Sequence, residues 1–473
     1  TYDGPLPAGL VEAGPIGTRE LRERLRDLGD RVVREGIGGT DAATALLLRR
    51  PPETDGPAGA EGETAAEAAI RLATSLRRSY LPLQGPPGTG KTYTAAEQIL
   101  ALVAQGRTAG ITGPSHAVIE KLIDTVCQRA GERGRTLRIG QKPDQEGQYL
   151  HAAATEMPNE RLERKLRDGE LDVAAGSVWL WAREGMAGSV DTLFVDEAGQ
   201  LSLANVLAVA GAARNLVLLG DPQQLAQPSQ ATHPPGAGAS ALGHILGERA
   251  TMPEGAGRLL DQTYRMHPDL CRYTSEVFYD GKLLGVDGLG RQEILGDGLF
   301  SGSGLRVVEV PHEGNTNASP EEADEVARLA ELLAGCSWRD RGDVVRPVGR
   351  DGILIVTPYN AQIRAIQEAL RGRGLTGAAL TGLRVGLRVG TVDKFQGREA
   401  PVVIYSMATS SADEAPRGLD FLYDRHRLNV ATSRARAMAI IVASPDLIRV
   451  SCRTPHQMTL ANALCRAWEE PAG

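Results

Sequence analysis

YLPLQGPPGTGKTYTAAEQILALVAQ, residues Tyr80 to Gln105, decides the fold. A short apolar run, Tyr80 to Leu83, leads into GPPGTGKT (Gly85 to Thr92), and Tyr93 to Gln105 follows with the spacing of a helix. Strand, glycine-rich loop and helix in that order match the phosphate-loop pattern G-x-x-x-x-G-K-[ST]. The glycines let backbone N–H groups close around phosphate oxygens, and the helix N-terminus adds partial positive charge. Gly85, Pro86, Pro87, Gly88, Thr89, Gly90, Lys91, Thr92 and Tyr93 are therefore the candidate nucleotide contacts. Lys91 is expected to reach the β- and γ-phosphates, and the Thr92 hydroxyl to hold Mg²⁺. A mere Gly/Pro turn before a helix is the bland alternative, and the strand–loop–helix context speaks against it.

Such a loop needs a second piece, because Mg²⁺ takes a carboxylate and the attacking water must be oriented. Leu193–Phe194–Val195 is an apolar run that ends on two acids, Asp196 and Glu197. Asp196 is expected to join Thr92 in the Mg²⁺ shell, and Glu197 to polarise the water. ATP and Mg²⁺ are the cofactors this pairing implies.

Outward from the loop, apolar runs alternate with helical stretches. Ala109–Thr112, Thr192–Val195 and Leu216–Leu219 read as buried parallel strands. A second series follows at Leu305–Val310, Gly352–Thr357, Val389–Val392, Val402–Met407 and Met438–Ala443. Alternation of this kind implies parallel sheets with right-handed crossovers, and its recurrence implies two lobes. The expected fold class is α/β, two tandem RecA-like P-loop domains with parallel sheets and a small helical insertion in the first. The expected divisions are 1–63, a helical lead-in with the linker PPETDGPAGAEGE; 64–255, the first domain, with the insertion at about 129–172; 256–451, the second domain; and 452–473, a helical tail. The insertion stands out because it breaks the alternation and carries Arg129, Arg133, Arg135, Arg138, Lys142, Arg161, Arg164, Lys165 and Arg167.

The chain has 473 residues and a net charge of −7, so any nucleic-acid contact must use local patches or backbone donors. Aromatics are 4% of residues, too few for a surface rich in stacking platforms. Cys127, Cys271, Cys336, Cys452 and Cys465 show no metal-ligand spacing, which suggests reduced thiols and a cytoplasmic setting. The longest uncharged apolar stretch, Ala198 to Ala213, falls short of the ~20 residues of a membrane span.

VDEAGQ (Val195–Gln200), GDPQQL (Gly220–Leu225), QTYRMHP (Gln262–Pro268), VTPYNAQ (Val356–Gln362), VDKFQGRE (Val392–Glu399) and LNVATSRAR (Leu428–Arg436) follow the phosphate loop in that order. Together they resemble the ordered motif set of superfamily 1 helicases, and the DEAGQ and YRMHP wording looks like the Upf-type branch. That branch includes bacterial helicases fused to a RecB-type nuclease, so a nuclease domain in a longer chain is one implied partner. The resemblance implies that Gln224 senses the γ-phosphate and that Arg265 and Arg434 approach it from the second lobe. It further implies that Tyr264 packs on the adenine and that Gly397 and Glu399 lie near the ribose. Where the family carries a glutamine that reads the adenine edge, this sequence has Ala68; Glu67 beside it offers only acceptors.

The resemblance also implies a single strand of nucleic acid lying across the tops of both lobes, with DNA weakly favoured over RNA. The candidate contacts are Pro114, Ser115, His116, Ser177, Thr357, Pro358, Tyr359, Asn360, Thr391 and Asp393. Small hydroxyls and backbone N–H groups suit phosphate contacts that ignore sequence. Trp179 and Trp181 are either base-stacking platforms or half of a core, and the second is the commoner fate of such a pair. Arg364, Arg371, Arg373, Arg384 and Arg388 are either an electrostatic footprint or a solvated face. The implied function is an ATP-driven helicase or translocase, moving 5′ to 3′ by analogy with its branch; an ATP-gated clamp that remodels nucleoprotein is the alternative.

Overall fold

Every residue of Tyr80–Gln84 is buried, as in a strand covered on both faces. The computed structural model describes residues 17–57, 59–143, 151–225, 233, 236–297, 300–375, 387–395 and 398–469. Its first part contains α1 (Arg19–Glu35), α2 (Ala42–Leu47), α3 (Ala65–Ser75), β1 (Tyr80–Gln84), α4 (Lys91–Ala104), β2 (Ala109–Thr112), α5 (His116–Glu132), β3 (Ile139–Gln141), β4 (Ala154–Glu156), α6 (Asn159–Arg167), β5 (Val173–Ala175), α7 (Val178–Trp181), β6 (Val190–Val195), α8 (Leu203–Val209), β7 (Ala213–Gly220), α9 (Ala241–Leu246) and β8 (Arg258–Leu259). Then come β9 (Gln262–Thr263), α10 (Pro268–Phe278), β10 (Leu284–Gly285), β11 (Glu293–Leu295), β12 (Gly304–Glu309), α11 (Pro320–Ala334), β13 (Ser337–Arg339), β14 (Val345–Pro347), β15 (Ile353–Thr357), α12 (Asn360–Gly372), β16 (Arg388–Thr391), β17 (Ala400–Ser406), α13 (Leu419–Leu422), α14 (Arg425–Thr432), β18 (Ala435–Ala443) and α15 (Pro455–Trp468).

Thirteen of the described strands form two parallel sheets, in the orders β4-β3-β5-β2-β6-β7-β1-β8 and β12-β18-β17-β15-β16, while β9 pairs with β10 and β11, β13 and β14 make a small antiparallel sheet. Alternate side chains feed opposite faces. In the first sheet Leu193, Val195, Leu216 and Leu218 pack with α8 and α9, whereas Phe194, Val217 and Leu219 pack with α3, α4 and α5. The second sheet divides likewise: Leu354 and Val356 join the core of α10 and α15, and Ile353 and Ile355 that of α11 and α12. Local signals start the helices. Thr64 and Glu67 form a capping box on α3, Ser115 caps α5, and proline opens α10, α11 and α15.

The segment 129–172, expected as a small helical insertion, carries one helix, α6, but also β3 and β4, which extend the first sheet beyond β5. Strands of three residues are too short to leave a period to read in the sequence. The described part of the lead-in packs on the first lobe: Leu21 of α1 and Leu46 of α2 are buried in its core. β8 still pairs with β1, so the first sheet runs past residue 255, the expected division, to Leu259. No described helix is long and apolar enough to cross a membrane.

Gly110, on β2, lies under the Trp181 ring, and a Cβ there would stand 2.6 Å from it and 2.8 Å from Leu193. Gly110→Ala is expected to cost about 1–3 kcal/mol through this overpacking, read as a lower urea midpoint; an unchanged midpoint would contradict the packing described.

Candidate nucleotide cleft and nucleic-acid track

Three chain segments meet where β1 ends. The loop after β1 turns through Gly88 and Gly90, both left-handed with φ of 77° and 79°. A Cβ on Gly85 would lie 2.0 Å from the Lys91 side chain, and one on Gly88 would lie 2.5 Å from Cβ of Arg265. Only glycine leaves that cradle open. Pro86 O accepts from Thr89 Oγ1 at 2.8 Å, which closes the turn.

At the end of β6, the Asp196 carboxylate accepts from the Glu197 N–H at 2.8 Å. Burial, and after it the neighbouring Glu197 carboxylate, pushes Asp196 up to about 6. Glu197 itself has φ of +52°, an uncommon left-handed conformation for a non-glycine residue. The turn leaves its carboxylate 3.8 Å from Lys91 Nζ and within 3.2 Å of Gln200 Nε2. After β7, Gln224 donates to Asp221 at 2.8 Å.

The second lobe supplies cations. Arg265 lies just beyond β9, in a segment held against the phosphate loop: Thr263 Oγ1 donates to Pro87 O, and the Tyr264 N–H to Gly88 O, each at 2.9 Å. Its guanidinium contacts Glu399 at 2.5 Å and Ser433 O at 3.1 Å. Against the burial that raises it, Arg265 and Arg436 hold the Glu399 carboxyl below its usual value. Arg434 differs. It is buried, and Nη1 donates to Arg398 O at 3.4 Å, while Nε and Nη2 have no hydrogen-bond partner among the described residues. Burial, then the nearby Arg265 charge, lowers its pKa to about 9.

Residues 86–93 line a cleft of about 350 Å³ together with Lys121, Thr125, Glu197, Gln224, Arg265 and Arg434. Tyr264 is half exposed at an adjoining cleft that Glu399 also lines. The nucleotide residues expected from the sequence thus converge, except that Gly397 lies outside the described residues. Asp196 sits buried at the base of the group. The sequence gives no sign that Arg265 pairs with a glutamate. Nor does it point to Tyr279, whose hydroxyl donates to Asp221 at 2.6 Å and accepts from Asn429 at 2.8 Å. Asn429 also donates to Gln223 O at 2.9 Å, so motif residues of the two lobes are joined directly. Asn429 lies within LNVATSRAR, which is a usable signal; Tyr279, in VFYD, carries none.

The expected track residues all sit at the carboxyl ends of parallel strands, the ligand-binding edge of an open α/β sheet. Ser115 is exposed at the cap of α5, with Pro114 and His116 partly exposed beside it, and Ser177 is partly exposed before α7. In the second lobe Asn360 and Asp393 are exposed and Thr391 partly so. Thr357, Pro358 and Tyr359 have buried side chains, which leaves only their backbone groups for such a contact. The Tyr359 ring packs on Phe421 with centroids 5.5 Å apart, and this apolar contact draws it inward. Trp181 is core, its Nε1 donating to Ile111 O at 3.1 Å, and Trp179 donates to Gly17 O at 2.8 Å. Trp181 is therefore no stacking platform, and Trp179 is partly buried against the first-lobe core. Arg373 and Arg388 pair with Glu331 and Asp351, as a solvated face does; Arg384 lies outside the described residues.

A phosphate loop with an acid pair, completed by a guanidinium from a second parallel-sheet lobe, defines a two-lobed P-loop nucleotide-binding protein. Residues 63–233 and 244–446 each match an AAA domain family. The chain is 24% identical over 451 residues to DNA polymerase alpha-associated DNA helicase A of Schizosaccharomyces pombe, covering 82% of this chain and 64% of that protein. It is 26% identical over 459 residues to the Regulator of nonsense transcripts 1 homolog of Drosophila melanogaster, covering 87% and 37%. With DNA-binding protein SMUBP-2 of Mesocricetus auratus it shares 25% identity, covering 83% and 44%. The crystal structure of arterivirus nonstructural protein 10, a helicase, matches with a TM-score of 0.41 at 18% identity, covering 80% of this chain and 61% of that one. The chain belongs to the superfamily 1 helicases, in their Upf-type branch. It spans 37% to 64% of the length of these curated relatives.

Removing the Tyr279 hydroxyl takes one donor from the buried Asp221 carboxylate. Tyr279→Phe is expected to lower stability by about 1–3 kcal/mol in urea unfolding; an unchanged midpoint would show that the interlobe link contributes nothing to folding.

Proposed function

We propose that this chain is an ATP-dependent helicase that couples hydrolysis between its two lobes to 5′-to-3′ movement on single-stranded nucleic acid, DNA in the first instance. The observation that carries the reading is Arg434, a buried guanidinium with two unpaired nitrogens at a cleft that also holds Lys91. An unpaired buried charge is costly, and a triphosphate between the lobes relieves the cost.

The residues present suit Mg²⁺ as well. Asp196 and Glu197 crowd two carboxylates into one buried corner, and a cation is what such a corner favours. Bound through Thr92 and Asp196, Mg²⁺ would supply charge neutralisation across the phosphates. The rest falls to side chains of the chain itself. Lys91 holds the outer phosphates, Glu197 orients the attacking water, and Gln224 registers the γ-phosphate. Arg265 and Arg434 stabilise charge on the transferring group only when the lobes are closed. Loss of that group loosens the clamp, and the second lobe shifts along the strand.

DNA as substrate, and the polarity, rest on the family resemblance. Relatives bear the names of DNA and of RNA helicases, so the two are to be compared side by side.

ATPase activity should rise when single-stranded DNA is added; a rate indifferent to DNA and RNA alike would remove the motor. Lys91→Ala should abolish turnover. Arg434→Ala should lower it about a thousandfold while a fluorescent nucleotide still binds, and retained turnover would refute the interlobe arginine. Release of a strand from a duplex with a 5′ overhang is expected, and ATPase without release would make the chain a clamp.

A further inference from the structure

The phosphate cleft does not end at Arg265. Gly88 and Arg265 also line a second cleft, of about 590 Å³, which runs on to the hairpin of β13 and β14. Residues Asp340, Arg341, Gly342, Val344 and Arg346 of that hairpin line it together with Tyr264. Two large apolar side chains stand exposed here, Tyr264 at 50% and Val344 at 47%. One such side chain on a surface is unremarkable. An aromatic ring and an isopropyl group at one cleft, continuous with a phosphate loop, are surfaces on which a planar base stacks.

The hairpin is held in shape. Asp340 Oδ1 accepts from the N–H groups of Gly342 at 2.9 Å and Val344 at 3.0 Å, and Asp340 Oδ2 pairs with Arg346 at 3.1 Å. β13 pairs antiparallel with β11, and Arg339 reaches Glu293 across that pair at 3.0 Å. The carboxylates at the cleft are thereby occupied, Asp340 by Arg346 and Glu399 by Arg265 and Arg436. Arg341, by contrast, donates no hydrogen bond and joins no ion pair among the described residues. The helix α3, whose sequence lacks a base-reading amide, offers no substitute. Ala68 is buried there, and Glu67 is committed to capping Thr64 at 2.9 Å.

We propose that the β13–β14 hairpin is the base-binding arm of the nucleotide site, Val344 packing a purine opposite Tyr264 and Arg341 donating to a ring nitrogen. This rests on the cleft being a nucleoside triphosphate site. A guanidinium only donates, and N7 is an acceptor in adenine and guanine alike. ATP and GTP therefore meet the same contacts, and the site separates them weakly.

The test uses the whole chain with saturating single-stranded DNA. Turnover is titrated with ATP and with GTP, and inorganic tripolyphosphate, which has phosphates but no base, serves as a competitor. For the wild type, KM values of the same order for ATP and GTP are expected. In Arg341→Ala/Val344→Gly, both KM values should rise about tenfold, the loss falling on KM rather than kcat, while inhibition by tripolyphosphate is unmoved. Arg341→Lys should keep part of the effect. Unchanged KM values, or an equal weakening of tripolyphosphate, would overturn the base-binding arm; a strong preference for ATP would overturn the shared N7 contact. A wild type with no turnover and no tripolyphosphate binding would instead strike the nucleotide site itself.

Discussion

A buried crevice that contains more guanidinium than carboxylate is the constraint on which the molecule turns. Arg265 is balanced by Glu399, which Arg436 shares. Arg434 donates to one backbone carbonyl and feels the carboxylates of Glu197 and Glu399 without a hydrogen bond to either among the described residues. Desolvated positive charge left this way is unfavourable until an anion enters, and an anion that enters must touch both lobes. The electrostatic imbalance thus links ligand occupancy to the distance between the two sheets. The same corner holds the opposite imbalance a few residues away, where Asp196 and Glu197 lie together. A triphosphate with its cation would satisfy both at once.

Strand ends set the positions from which these charges act. Parallel strands leave their carboxyl edges facing one way, and the loops that follow β1, β6 and β7 deliver Lys91, Glu197 and Gln224 to a single cleft. The chain passes between the lobes at that same place. Thr263 and Tyr264 bond the phosphate loop through its carbonyls, which ties the linker to the loop. Asp221, Tyr279 and Asn429 form a second crossing, made of buried side chains. A change at the phosphates therefore has two short routes into the second lobe.

The proposed contact with nucleic acid is left to modest means. Four of the nine basic residues of 129–172 are engaged by carboxylates: Arg129 and Arg133 pair with Glu97, Arg138 with Asp172 and Lys165 with Glu170. With a net charge of −7, general attraction is weak, and small hydroxyls and backbone groups at the strand ends remain. Contacts of that sort position a backbone without reading its bases.

Residues whose role depends on local chain geometry are legible in the order of amino acids. The phosphate loop, the acids after an apolar strand and the two runs of parallel strands each follow from neighbours in sequence, because backbone conformation is a short-range property. Contacts across the chain are not legible in that way. Nothing near Tyr279 points to Asp221, and nothing in VTPYNAQ separates the exposed Asn360 from the buried Tyr359, since burial is decided by what packs on top. β3 and β4 likewise became strands only because β5 gave them an edge to pair with. By itself the sequence determined that a triphosphate loop sits at the head of a helix in a two-lobed α/β chain. Only the tertiary structure decided which arginine is left unpaired, and that the hairpin of β13 and β14 reaches the cleft, because both depend on distances between segments far apart along the chain.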